Sequence, residues 1–189
     1  VAARVGVTAV AAHQVAAQLW LFLALVVDAL AVAAQALVSK QLGQRNAAAA
    51  RAVANRLLQW GLLVGVVLGA GFFASQPILP GFFTDDAATI AAVLSVFPVV
   101  ALLQPLNGLV FVWDGIYMGA EDFGYLAKAM LVSAAGAAAI LLLVRPMGWG
   151  LTGVWWGITA LMALRAITLA VPYVRGRLLA APADAESAA

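Results

Sequence analysis

Five long apolar stretches, parted by short polar or Pro/Gly-rich breaks, take up most of this chain. A helix crossing a bilayer core needs about 20 apolar residues, and shorter or longer stretches adapt by tilting. The pattern predicts spans over 10–39, 57–73, 89–118, 123–144 and 150–174. Lys40 to Arg56 reads as a polar, basic connector. Ser75 to Asp86 reads as a Pro/Gly-rich connector with an acidic tip at Asp85 and Asp86. Glu121 and Asp122 form a short turn, and Arg145 to Trp149 the next. The third span exceeds one straight crossing, and Pro98 and Pro105 inside it are expected to kink it and serve as hinges. The tail after Arg177 is small and polar, so 178–189 is expected to be a disordered cytoplasmic tail.

Composition narrows the class. Of 189 residues, 66% are hydrophobic and only 10% are charged, against about a quarter in a soluble domain. A soluble fold of this size could not bury that much apolar surface. The fold class is therefore all-α, a polytopic membrane helix bundle whose first partner is the lipid bilayer. The net charge of +2 comes from basic residues scattered between apolar runs, which argues against a nucleic-acid partner. No cysteine and one histidine are present, so no cofactor and no metal site is expected. With no G-x-S-x-G and the lone His13 at the rim of the first span, no enzyme activity is expected. The chain begins with Val1, from which a missing N-terminal part is expected.

Basic residues set orientation, because cytoplasmic loops carry the excess of Lys and Arg. Lys40, Arg45, Arg51 and Arg56 follow span one, Lys128 follows span three, and Arg175 and Arg177 follow span five. Five alternating crossings put them all on one side, with Arg4 and Arg145 opposite. That predicts a multi-pass protein of the inner (plasma) membrane with a cytoplasmic C-terminus. Trp60, Tyr117, Trp149 and Tyr173 fall near span ends, where an interfacial aromatic belt would lie.

Asp28 carries the strongest functional signal. It sits near the middle of a run otherwise free of charge, Val15 to Val38. An ionised carboxylate there costs roughly 3 kcal/mol on insertion scales. As a helix, span one places Gln14, Gln18, Asp28, Gln35 and Ser39 within roughly 100° of one face. Such a stripe should face a bundle interior or an aqueous cleft. Asp28 then either binds a proton, a cation or a cationic substrate, or clamps a neighbouring helix by hydrogen bonds. Span three repeats the pattern with Gln104, Asn107 and Asp114 on one face. Asp114 is one turn from the cytoplasmic end, where it either reaches interfacial water or takes part in function. Gly61, Gly65 and Gly69 form a small-residue stripe that suits close helix packing. Arg165, inside span five, is expected to extend toward cytoplasmic water rather than pair with an acid.

These residues resemble a known family. Ala12-His13-Gln14 with Leu19-Trp20, Asp28-Ala29-Leu30-Ala31, Gln35-Ala36-Leu37, the connector Leu42-Gly43-Gln44-Arg45-Asn46, Asp114-Gly115 and Gly119-Ala120-Glu121-Asp122 together look like the multidrug and toxic compound extrusion (MATE) family, closest to its DinF-like branch. Members have twelve helices in two lobes around a central cavity, so the resemblance places these spans as helices 8 to 12. The seventh helix and the N-terminal lobe would be partners outside this chain, with residues 1–10 including the end of helix seven. It implies secondary active export of small organic, often cationic, compounds in exchange for H⁺ or Na⁺ as coupling ion. Some branches carry an acid where Asn107 stands. Asparagine cannot titrate, which weighs against Na⁺ at that position. The alternatives are a lipid-linked precursor flippase of the same superfamily, or an inactive fragment or membrane scaffold.

Overall fold

The computed structural model describes residues 7–144 and 146–179. Arg4, Arg145 and residues 180–189 lie outside them. Five helices follow in order: α1 (Val7–Gly43), α2 (Ala47–Ala74), α3 (Ala87–Gly119), α4 (Phe123–Val144) and α5 (Gly150–Val174). All five are long and apolar enough to cross a membrane. The bounds of α4 and α5 coincide with the expected spans. Those of α1 and α2 do not. The expected connector from Lys40 to Arg56 is helical except at Gln44, Arg45 and Asn46. Hydropathy marks the immersed part of a helix, and polar ends that protrude beyond the hydrocarbon are invisible to it.

Two tight turns share one design. At Arg45 and Glu121 the backbone is left-handed, with φ of 54° and 60°. The next residue, Asn46 or Asp122, then caps the following helix. Asn46 Oδ1 accepts from the Ala49 amide at 3.0 Å, and Asp122 Oδ1 from the Tyr125 amide at 3.2 Å. Short polar side chains suit this position because they satisfy amides that the first helical turn leaves free.

Asp86 caps α3 in the same way, accepting from the Thr89 amide at 2.9 Å and the Thr89 hydroxyl at 2.6 Å. These bonds favour the ionised form and hold its carboxyl below the usual aspartate value. A depressed folded value contributes stability above the unfolded value, about 3.9, and loses it as pH falls through the lower folded value. Asp86→Asn keeps an acceptor without a charge. We expect the melting temperature of wild type to exceed that of Asp86→Asn near neutrality, with the gap closing below about pH 4. A gap that persists unchanged in acid would remove the charge from the cap.

Helix α3 is the hub, packing against all four others. Its neighbours' directions follow from close contacts. Gly61, Gly65 and Gly69 of α2 meet Gly108, Gln104 and Ala101, so α2 runs antiparallel to α3. A methyl group added at these glycines would lie 2.6, 2.5 and 2.6 Å from the carbonyl oxygens of those three residues. Backbone thus touches backbone. The Ala101 carbonyl is the one that Pro105 deprives of its helical donor, and the Gly69 backbone closes over it. Pro98 and Pro105 both lie within the continuous α3. On another side, Gly115 and Gly119 rest on the backbone of Ala31 and Gln35, so α1 runs parallel to α3. Helix α5 is also parallel to α3 and pairs antiparallel with α4, where Gly136 meets Leu164 and Gly157 meets Leu141.

Two apolar clusters fill the bundle. One holds Phe72, Phe97 and Trp155, with the two phenyl rings stacked 4.0 Å apart. The other holds Val38, Leu57, Ile116, Tyr117, Leu169 and Tyr173. Leu179, expected in the disordered tail, packs in the second cluster at 6% exposure.

Candidate functional site

The charged centre of the bundle is an ion pair. Arg165 Nη2 of α5 donates to Asp114 Oδ2 of α3 at 2.5 Å, with the side chains only 13% and 11% exposed. This corrects the expectation that Arg165 extends to cytoplasmic water. Because α3 and α5 run parallel, residues five positions before Gly119 and nine before Val174 fall at one level. A buried arginine cannot shed its proton, so it needs a carboxylate. Asp114 does not reach interfacial water either, being 7% exposed. Among the described residues, the buried atoms Asp114 Oδ1 and Arg165 Nε have no hydrogen-bond partner.

Gln104 and Asn107 are fully buried on the same helix. Gln104 Nε2 donates to the Val100 carbonyl at 2.9 Å, while among the described residues its oxygen and both polar atoms of Asn107 have no partner.

Asp28 and Gln35 are placed differently. Gln14, Gln18, Asp28, Gln35 and Ser39 are all exposed, together with Leu21, Leu25 and Val32 at 55%, 63% and 60%. Of the two settings expected for this stripe, the interior of the bundle formed by the described residues is therefore excluded, and none of them covers the face. Among the described residues Asp28 has no hydrogen-bond or ion-pair partner. Gly115 rests on Ala31, three positions from Asp28, so Asp28 and Asp114 stand at similar depth on helices that pack together. The five candidate residues thus divide into a buried set on α3 and an exposed set on α1. Each set includes one carboxylate, and the two lie at similar depth.

Tyrosines supply polar fastenings that hydropathy does not reveal. Tyr117 and Tyr173 were expected in an interfacial belt, but they are 1% and 4% exposed. Tyr117 donates to the Leu169 carbonyl at 2.9 Å, and Tyr173 to Asn55 Oδ1 at 2.6 Å with Arg51 over its ring. Tyr125 donates to the Thr168 carbonyl at 2.7 Å. Pro172, four residues on, gives that carbonyl no helical donor, and the phenol takes the vacant place. An internal proline with a tyrosine at comparable depth was the available signal. His13 packs edge-on against Trp155, joining α1 to α5. Among the described residues no group of three His, Cys, Asp or Glu side chains is placed to hold a metal ion.

A bundle of five helices long and apolar enough to cross a membrane, with a buried charge pair inside it, has the build of a multi-pass membrane protein. The MatE family model matches residues 1–144, and the chain belongs to that family. It is 39% identical to Protein DETOXIFICATION 43 of Arabidopsis thaliana over 88% of its own length and 32% of that protein's. It is 41% identical to Protein DETOXIFICATION 42 of the same plant, over 87% of this chain and 32% of the relative. A probable multidrug resistance protein NorM of Pseudomonas aeruginosa is 29% identical, over 98% of this chain and 40% of that one. The fold is also that of the crystal structure of the eukaryotic MATE transporter AtDTX14, with a TM-score of 0.82 at 20% identity, covering 87% of this chain and 37% of the other. The chain thus spans about a third of the length of the curated plant relatives.

Proposed function

We propose that this chain is the C-terminal lobe of a two-lobed exporter, its helices standing as helices 8 to 12 of a DinF-like MATE protein. The whole protein carries small organic compounds, cations among them, outward in exchange for a cation, with H⁺ favoured over Na⁺. One observation carries this reading: α1, long and apolar enough to cross the membrane, bears a carboxylate and four polar side chains on a face that no described residue covers. Acyl chains would penalise that face, whereas a water-filled cavity closed by a second lobe accommodates it. Asn107 in place of an acid supports H⁺ over Na⁺. The basic residues at one end support an inner-membrane protein with a cytoplasmic C-terminus. The reading includes no catalytic step and no bound cofactor. A precursor flippase would need free cationic side chains to hold pyrophosphate, and Arg165 is already neutralised by Asp114.

The test uses the complete protein that contains this chain, reconstituted in liposomes. A proton gradient should drive movement of ethidium, and an equal Na⁺ gradient should drive little. Asp28→Asn should lower the proton-driven flux at least tenfold. Undiminished flux in that variant would sink the role given to Asp28. No gradient-driven flux in the wild type would leave a scaffold or inactive fragment.

A further inference from the structure

The exporter reading assigns no task to the buried ion pair. Arg165 remains charged at every working pH, and leaving it alone in an apolar interior is strongly unfavourable. Asp114 can instead be neutralised by one proton, and among the described residues its Oδ1 has no hydrogen-bond partner. The membrane-spanning helices contain two carboxylates, Asp28 and Asp114. They stand at similar depth on α1 and α3. The other charged groups on elements packed against α3 lie toward the end that includes the two tight turns. They are Lys40 on α1, Arg51 and Arg56 on α2, and Lys128 on α4, with Arg51 over the Tyr173 ring. Two carboxylates and one guanidinium leave a single unbalanced negative charge at this depth.

We propose that Asp28, Asp114 and Arg165 form one exchange unit, in which Arg165 leaves Asp114 for Asp28 when Asp114 takes up a proton. The proton binds Asp114 Oδ1 and turns the carboxylate into a neutral acid. The charge-assisted bond from Arg165 to Oδ2 breaks, and an equivalent bond forms to Asp28. One proton enters, and no covalent bond other than that O–H changes. Asp28 is thereby withdrawn from any cationic substrate it holds, so proton entry at α3 expels a positive charge from α1. This gives the coupling step within the exporter reading, on which it rests. It also assigns Arg165 as the positioning residue that links the two acids.

Infrared spectroscopy of the purified full-length protein tests this without transport. Acidification should produce a carboxylic acid C=O band that is absent in Asp114→Asn. In Asp28→Asn the guanidinium has nowhere to go, so the band should appear at least one pH unit lower. In Arg165→Gln it should appear at least one unit higher, with Arg165→Lys closer to wild type. Because Asp28 is exposed, its variant keeps the packing intact and carries the test alone. A band at the same pH in wild type and Asp28→Asn, or no titrating band at all, overturns the exchange. Expected band shifts without proton-coupled ethidium flux would overturn the exporter reading instead, and coupled flux without the shifts would overturn only the exchange.

Discussion

Asp114→Ala combined with Asp28→Asn is expected to lower the free energy of unfolding by about 3–5 kcal/mol, the usual cost of stranding one partner of a buried ion pair. Arg165 is then a cation with no intramembrane carboxylate in these helices, and it cannot neutralise itself. Arg165→Leu should cost less, about 1–3 kcal/mol, because Asp114 escapes by binding a proton and leaves only an unpaired polar group. Asp114→Ala alone should fall between, since Asp28 can take over part of the pairing. Asp114→Leu with Arg165→Leu should recover to within about 1 kcal/mol of wild type, as apolar replacements of buried pairs commonly do. Unfolding in mixed micelles by denaturing detergent measures all four. Equal costs for removing the acid and the base would mean that the pair is hydrated, contrary to its 13% and 11% exposure.

Gly61→Leu should destabilise the bundle by about 3 kcal/mol, the upper end of the usual overpacking cost. Its first side-chain carbon would meet the Gly108 carbonyl at 2.6 Å, and neither backbone can yield without separating α2 from α3. Gly71→Leu is the internal control. Gly71 lies on the same helix, exposed, with nothing within 4 Å of an added methyl group, so its substitution should stay within about 0.5 kcal/mol. Thermal unfolding of the two variants side by side separates a packing contact from loss of glycine as such. Comparable losses would show that α2 and α3 do not meet at Gly61.

The order and number of long apolar helices were legible because each run is long, nearly free of charge and bounded by breaks. The bounds of α4 and α5 were legible for the same reason, since Asp122 and Gly150 stand immediately at their starts. The extension of α2 back to Ala47 was not, because Arg51 and Arg56 read as loop to any scale that counts only apolar burial. The shared turn pattern, Gly43-Gln44-Arg45-Asn46 and Gly119-Ala120-Glu121-Asp122, was visible as a helix C-terminus followed by an Asx cap. The apolar run alone placed the start of α4, and the basic charge of Arg45, Arg51 and Arg56 hid the same turn before α2. The pairing of Asp114 with Arg165 escaped because depth was judged along each helix separately. Sequence does not say that α3 and α5 are neighbours, and without that knowledge an arginine nine residues from a helix end looks able to reach water. The exposed position of the Asp28 stripe is a matter of which surface other helices cover, which spacing along one helix cannot supply.

The central place of α3 also governs the order in which the bundle can assemble. Among these five helices, α1 and α2 are made before α3 and touch each other, but the glycine-lined surface of α2 has no seat until α3 arrives. Helices α4 and α5 form a hairpin with its own small-residue contacts. Insertion therefore yields an early pair, then a keystone, then a late pair. During synthesis, the interval between α2 and α3 is when the nascent protein exposes unsatisfied packing surface, and it is the stage at which an insertase or membrane chaperone would have most to hold.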